Sequence, residues 1–357
     1  MTLLRKLSLP LVLLLLLATG CGSDDDQMQE VTEPTASFDR GALLAFYADQ
    51  EIIPAYVGLT NLLDRLETEI NEWQSAPAAD REQAFSDVQL AYYFANDGWQ
   101  DLSARTTTVG EELNLQLRLN TYPTDTEGLD EAATAGTFPD LSLPSNYDLQ
   151  GFPAMEYYLF EREDAASTLL LLNEARSLLL TARDRWDQRR DAFVANDGNS
   201  ATASLDRMVN DYLFNYERFT RAGKVGIPAG VFSNTPLPGN AEAPFSGIST
   251  EALRDAFVAT EQVFDSYKTD DHDLAAYLDA LDVRRDGRLL SEIINEQFAA
   301  TNRAVFALDR PIQDLAENDP DRLLDVYDEM QRLLVLLKID MLQALSINVD
   351  YVDADGD

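Results

Sequence analysis

Apolar residues recur every three or four positions through four long stretches of this 357-residue chain. Leu59, Leu62, Leu63, Leu66, Ile70 and Trp73 form one series, and Phe85, Val88, Tyr92, Ala95 and Trp99 the next. Residues 164–195 repeat the pattern with Leu171, Ala175, Leu178, Ala182, Trp186 and Phe193. The last series is Leu323, Val326, Met330, Leu333, Leu337, Met341 and Leu345. This spacing aligns side chains on one face of an α-helix and leaves charged residues on the others. Strand patterns, which alternate every second residue, are scarce. The chain is therefore expected to be all-α, with helices burying their apolar stripes against one another in bundles. Pro54 falls inside the first helix and, lacking an N–H, should kink or break it.

Two stretches interrupt the helical pattern. Residues 106–149 hold Pro123, Pro139 and Pro144, and residues 223–247 hold Pro228, Pro236, Pro238 and Pro244. Irregular segments of this length are uncommon inside compact domains and are often functional. Asn196, Asp197, Gly198 and Asn199 make a turn signal between helical stretches. The expected organisation is a bundle over 38–196, a second over 199–348, and an acidic tail over 349–357, with one long loop in each bundle.

The charge balance narrows the range of partners. Sixty-three Asp and Glu oppose 27 Lys and Arg, for a net charge of −36. A surface this acidic repels nucleic acid and anionic lipid heads, whose binding depends on neutralising phosphates. Only Lys6, Lys224, Lys268 and Lys338 are lysines. An acid-rich, Lys-poor composition suits a protein that works in high salt. One Cys and one His exclude a disulfide framework, a Cys/His zinc site and a Cys–His nucleophile pair. A Ser–His–Asp triad would need His272, which sits in the acidic run 270–273 and reads as a solvated turn with an Asp cap.

The N-terminus reads as an address. Arg5 and Lys6 precede an apolar run over 9–17 that is too short to span a membrane. It ends in Leu17, Ala18, Thr19, Gly20 and Cys21, which resembles a bacterial lipobox. Residues 1–20 would then be a lipoprotein signal peptide, Cys21 the lipidated residue, and 21–37 a polar tether. The implied location is the cell envelope, anchored by lipid, with the outer membrane facing the periplasm favoured because Gly22 follows the Cys. Asp24, Asp25 and Asp26 lack the Gly and distal Glu of a calcium loop.

Gly151, Phe152, Pro153, Ala154, Met155 and Glu156 lead into Tyr157, Tyr158, Leu159 and Phe160. This block resembles the signature of the imelysin family, Gly-x-His-x-x-Glu followed by an apolar, aromatic helix. Companion blocks stand in family order: 120–125 upstream, then 208–210, 223–230 and 242–249. The resemblance implies two all-helical domains in an exported or anchored envelope protein, with a site near the domain junction. The family was first described as a peptidase; other members are iron-regulated lipoproteins or parts of iron uptake systems, and related proteins bind polysaccharide. The implied ligand is a divalent or ferric cation or another small ligand, and an envelope transport or redox protein is an implied partner.

The motif is degenerate here, because Pro153 stands where the family has His and has no ligand atom. Pro153 suits the first turn of a helix, where its missing N–H is not needed, and Gly151 can supply an unusual backbone angle entering it. Glu156 is open to several readings: a ligand or metal carboxylate, a helix carboxylate paired with an Arg such as Arg118, or a first-turn Glu that favours the helix dipole. Asn120, Tyr122 and Asp125 from the first loop would line one polar cleft with Glu156 and with Lys224, Glu242, Ser246 and Ser249 from the second. Their alternative role is to cap helices and stabilise turns, for which Asp125 and Ser249 are good candidates. With the His absent, the expected function is non-catalytic binding in iron or other metal uptake. A metallopeptidase and a polysaccharide-capture lipoprotein are the alternatives.

Overall fold

The computed structural model describes residues 38–269 and 271–351. The expected signal peptide (1–20), Cys21, the expected tether (21–37) and the end of the expected acidic tail lie outside the described residues. Helix α1 (Arg40–Phe46) runs through a π-helical segment (Tyr47–Ile52) into α2 (Ile53–Ser75). The wide turns immediately precede Pro54, which can neither donate to the preceding turn nor tolerate its carbonyl at normal pitch. The break expected at Pro54 therefore takes the form of a local widening. Helix α3 (Arg81–Ala104) returns antiparallel to α2. Leu59, Leu63, Leu66, Ile70 and Trp73 of α2 are all buried, as are Val88, Tyr92, Ala95 and Trp99 of α3.

The stretch over 106–149 is not structureless. It folds into α4 (Val109–Glu112), α5 (Leu115–Asn120), α6 (Thr126–Ala135) and a 3₁₀ turn (Pro144–Leu149). Helices of one to three turns show too few periodic positions to be read from pattern alone. Helix α7 (Gly151–Phe160) follows and is buried on almost every face, from Gly151 through Leu159. It packs on α5 and on the long α8 (Ala165–Ala195).

The turn at 196–199 sits between α8 and α9 (Ser204–Phe214). Helix α9 passes into a twelve-residue π-helical segment (Asn215–Gly226), so Lys224 lies on a helix rather than in the loop expected for it. Then come α10 (Ile227–Ala229), a 3₁₀ turn (Pro238–Asn240), α11 (Ser249–Phe264) and α12 (Leu274–Ala280). A two-residue hairpin pairs β1 (Arg284–Arg285) with β2 (Arg288–Leu289). Helices α13 (Leu290–Phe306), α14 (Ile312–Asn318) and α15 (Pro320–Val335), a third π-helical segment (Leu336–Met341) and α16 (Leu342–Leu345) complete the chain. The architecture is all-helical as expected. Helix α11 packs on α3 across the turn at 196–199, and buried apolar residues from both sides of it form one contiguous cluster. Among the described residues no helix is long and apolar enough to cross a membrane.

Candidate functional site

Gly151 opens α7 with φ +76°, and a Cβ there would lie 2.3 Å from the carbonyl oxygen of Leu119. Only glycine allows α7 to start this close to the backbone of α5. Pro153 occupies the first turn and needs no donor there. One turn on, Glu156 is fully buried. Its Oε1 accepts from the N–H of Phe245 (3.1 Å), the N–H of Ser246 (2.7 Å) and Ser246 Oγ (2.5 Å). Its Oε2 is buried with no hydrogen-bond partner. Burial pushes the carboxyl up to about 7; the Ser246 donors oppose that shift, and the negative charge of Glu242 adds to it.

Glu242 is the hub of the surrounding polar cluster. Its Oε1 accepts from Gln100 Nε2 (2.9 Å) and Asn120 Nδ2 (2.9 Å), and its Oε2 from the ammonium of Lys224. Gln100 also donates to Asn96 one turn earlier on α3 (3.1 Å). All five side chains are buried. Asn120 Oδ1 is a second buried oxygen with no partner. Two tyrosines sense the same charge. Burial holds Tyr92 and Tyr122 well above the usual phenol range, Glu242 raising both and Glu156 also raising Tyr92. Tyr92 donates to the carbonyl of Phe152 (3.2 Å) and so ties α3 to the start of α7. The cluster thus joins α3, the end of α5, α7, the π-helical segment and the segment before α11.

The sequence profile of imelysin matches residues 52–337. The chain belongs to the imelysin family. Iron-regulated protein A of Synechococcus elongatus is 23% identical over 288 residues, which is 75% of each chain. Two crystal structures share the fold. An imelysin-like protein from Psychrobacter arcticum superposes with a TM-score of 0.70 at 18% identity, covering 88% of this chain and 97% of that one. An iron-regulated protein A precursor from Parabacteroides distasonis gives 0.69 at 14% identity, with the same coverage.

In this imelysin-family chain the motif positions therefore have distinct placements. Gly151 and Pro153 set the helix start, and Glu156 projects from it into the cluster. Asn120, Glu242 and Ser246 touch Glu156 or its hub directly, and Tyr122 stands beside Glu242. Asn120 and Glu242 are buried with Glu156, and Tyr122 and Ser246 are half-buried beside them. Asp125 is apart from them: it is exposed and caps α6, accepting from the N–H of Gly128 (3.1 Å). Ser249 does not cap its own helix; its Oγ accepts from the N–H of Ile312 and donates to Gln313, pinning α14 to α11. Arg118 pairs with Glu174, leaving Glu156 without an ion pair. Asp273 caps α12, as expected for the acidic turn beside His272. Tyr157 and Tyr158 are buried, donating to Asp130 and to the carbonyl of Leu129.

Asn96 and Gln100 escaped the sequence reading. Their only signal is two amides close to the Tyr92 and Trp99 stripe of α3, where apolar residues are the norm.

Glu156 Oε2 and Asn120 Oδ1 are hard oxygen donors without partners, which is what a hard cation uses. Glu242 is already neutralised by Lys224, and among the described residues no three His, Cys, Asp or Glu come together. The residues present fit a contact to a cation that keeps other ligands, and do not fit a cage around a bare ion.

Proposed function

We propose that this imelysin-family protein is a non-catalytic binding protein of the cell envelope that serves the uptake of iron or another metal. In this reading Glu156 contacts the ligand. The observation that carries it is the half-satisfied carboxyl: three donors fix Oε1, and Oε2 is held in place with nothing to bind. A buried acceptor left without a partner costs stability, so its retention in a rigid setting is a mark of use. In this reading Glu156 offers a carboxylate oxygen and Asn120 a neutral one, and Lys224 holds Glu242 in place. Pro153 removes the imidazole that would make a His–Glu pair, which favours binding over peptidase chemistry. The names of the Synechococcus and Parabacteroides proteins support an iron-responsive setting, and the word precursor supports export. The lipid anchor at Cys21 and an outer-membrane location belong to the same proposal.

Calorimetry with Fe²⁺, Fe³⁺-citrate, Zn²⁺ and Ca²⁺ tests it. Saturable heat with at least one of these probes is expected, weakened at least tenfold by Glu156→Gln. No heat with any of them, or equal binding by the variant, refutes the reading.

A further inference from the structure

A cavity of about 370 Å³ lies between α4–α5 on one side and the α9 end of the long helix on the other. That volume is within the range of small-molecule sites. One wall is a single helical face: Asp211, Phe214, Asn215, Arg218 and Phe219 follow one another at steps of three and one residues. Phe214 and Phe219 meet edge to face, with centroids 5.6 Å apart and planes at 90°. Leu115 and Leu117 supply apolar surface opposite them. The cavity floor is already committed: Asn215 donates to Ser103 Oγ (2.9 Å), which donates to Gln116 (2.8 Å). Its amides therefore hold the wall together rather than waiting for a partner.

The two ends carry opposite charge. At one end the Asp211 carboxyl accepts from the N–H of Thr108 (3.2 Å) and lies within hydrogen-bonding reach of Glu111. Burial pushes the Asp211 carboxyl up, and the neighbouring Glu111 charge adds to this. At the other end Arg218 is exposed, and among the described residues its guanidinium makes no hydrogen bond or ion pair. Seven residues of helix separate Asp211 from Arg218, which is about 10 Å at α-helical rise and somewhat less where the helix widens.

We propose that this cavity binds a small zwitterion with an apolar body, its ammonium on the Asp211–Glu111 pair and its carboxylate on Arg218. The size is that of an amino acid to a dipeptide. A carboxylate engages the planar guanidinium through two parallel hydrogen bonds, and an ammonium offers three donors to the acid pair. Between them the ligand's carbon chain covers Phe214, Phe219 and Leu117. A simple amine or a simple carboxylic acid satisfies one end only, so the two ends together give selectivity. The site is independent of Glu156 and of the metal proposal.

Titration of the purified protein with ω-amino acids of graded chain length and with the dipeptide Leu-Phe tests this, read by calorimetry. Binding is expected to peak at one chain length and to fall at least tenfold when the amine is acetylated or omitted. Arg218→Ala, at an exposed position, should weaken binding at least tenfold with an unchanged melting temperature, and Arg218→Lys should restore part of it. Glu156→Gln should bind as the parent does. The proposal fails if no zwitterion saturates, if hexylamine binds as well as the amino acid, or if Arg218→Ala binds normally. Loss of binding in Glu156→Gln alone would move the ligand to the other site and equally overturn it.

Discussion

Replacing Glu156 by Gln should change how stability depends on pH, and by an amount the structure sets. In the unfolded chain the carboxyl ionises near 4.5, and in the folded chain near 7. A folded-state pKa raised in this direction means the folded chain holds the proton more tightly. At low pH the protonated group carries no penalty. As pH rises through the unfolded value, the folded state begins to lose stability relative to the unfolded one, and the loss is complete above the folded value. The full difference corresponds to about 3 kcal/mol, most of which falls between about pH 5 and about pH 8. Gln keeps an oxygen for the Phe245 and Ser246 donors but does not titrate. Its amide nitrogen takes the place of the unpartnered Oε2, at a cost of about 1–3 kcal/mol that does not vary with pH. Urea unfolding of both proteins at several pH values, with chelator present, isolates the term, because the other carboxylates cancel in the difference. The variant should gain on the parent by about 2–3 kcal/mol from acid to alkaline pH. Parallel stability curves would show that Glu156 is not a desolvated carboxyl, and the argument for a waiting Oε2 would go with it.

Gly151→Ala should destabilise by more than about 2 kcal/mol, from left-handed backbone strain plus the collision with Leu119. Gly136→Ala, also at positive φ but with open space around it, should cost only the conformational share, about 1 kcal/mol; equal losses in urea unfolding would remove the close approach from the account. Lys224→Met should cost about 3–5 kcal/mol by leaving Glu242 charged and buried, and the double variant with Glu242→Gln should recover most of that; a purely additive cycle would refute the pairing. Raising NaCl should raise the urea midpoint, because screening relieves the repulsion of a chain with net charge −36. A midpoint that is flat or falls with salt would count against the high-salt reading of the composition.

The helical class was legible because periodicity is a local property. Each long helix carries its own apolar stripe, and burying that stripe needs only a neighbour of the same kind. The motif was legible for a similar reason: Gly151, Pro153 and Glu156 sit within six residues, and a helix start explains the first two without reference to anything distant. The short helices between 106 and 149 were not legible, since one or two turns show no period and their stability comes from packing against α7 and α8 rather than from their own sequence. The prolines that follow Lys224 mask, in the sequence, a helix that continues as wide turns.

The environment of Glu156 was decided by tertiary structure alone. Its nearest candidate partner by residue type was Arg118, yet Arg118 turns to Glu174 and the donors come from a segment some ninety residues on. The same holds for Glu242, whose partners come from α3, α5 and the π-helical segment. Asp125 was as plausible a member by composition as Asn120, and the fold assigned one to a helix cap and the other to the cluster. The sequence by itself determined an acidic, all-helical chain with a helix start that presents a carboxylate. Only the packing of distant segments decided that this carboxylate is buried, raised in pKa and half satisfied, because desolvation and hydrogen bonding depend on what surrounds a side chain rather than on its neighbours along the chain.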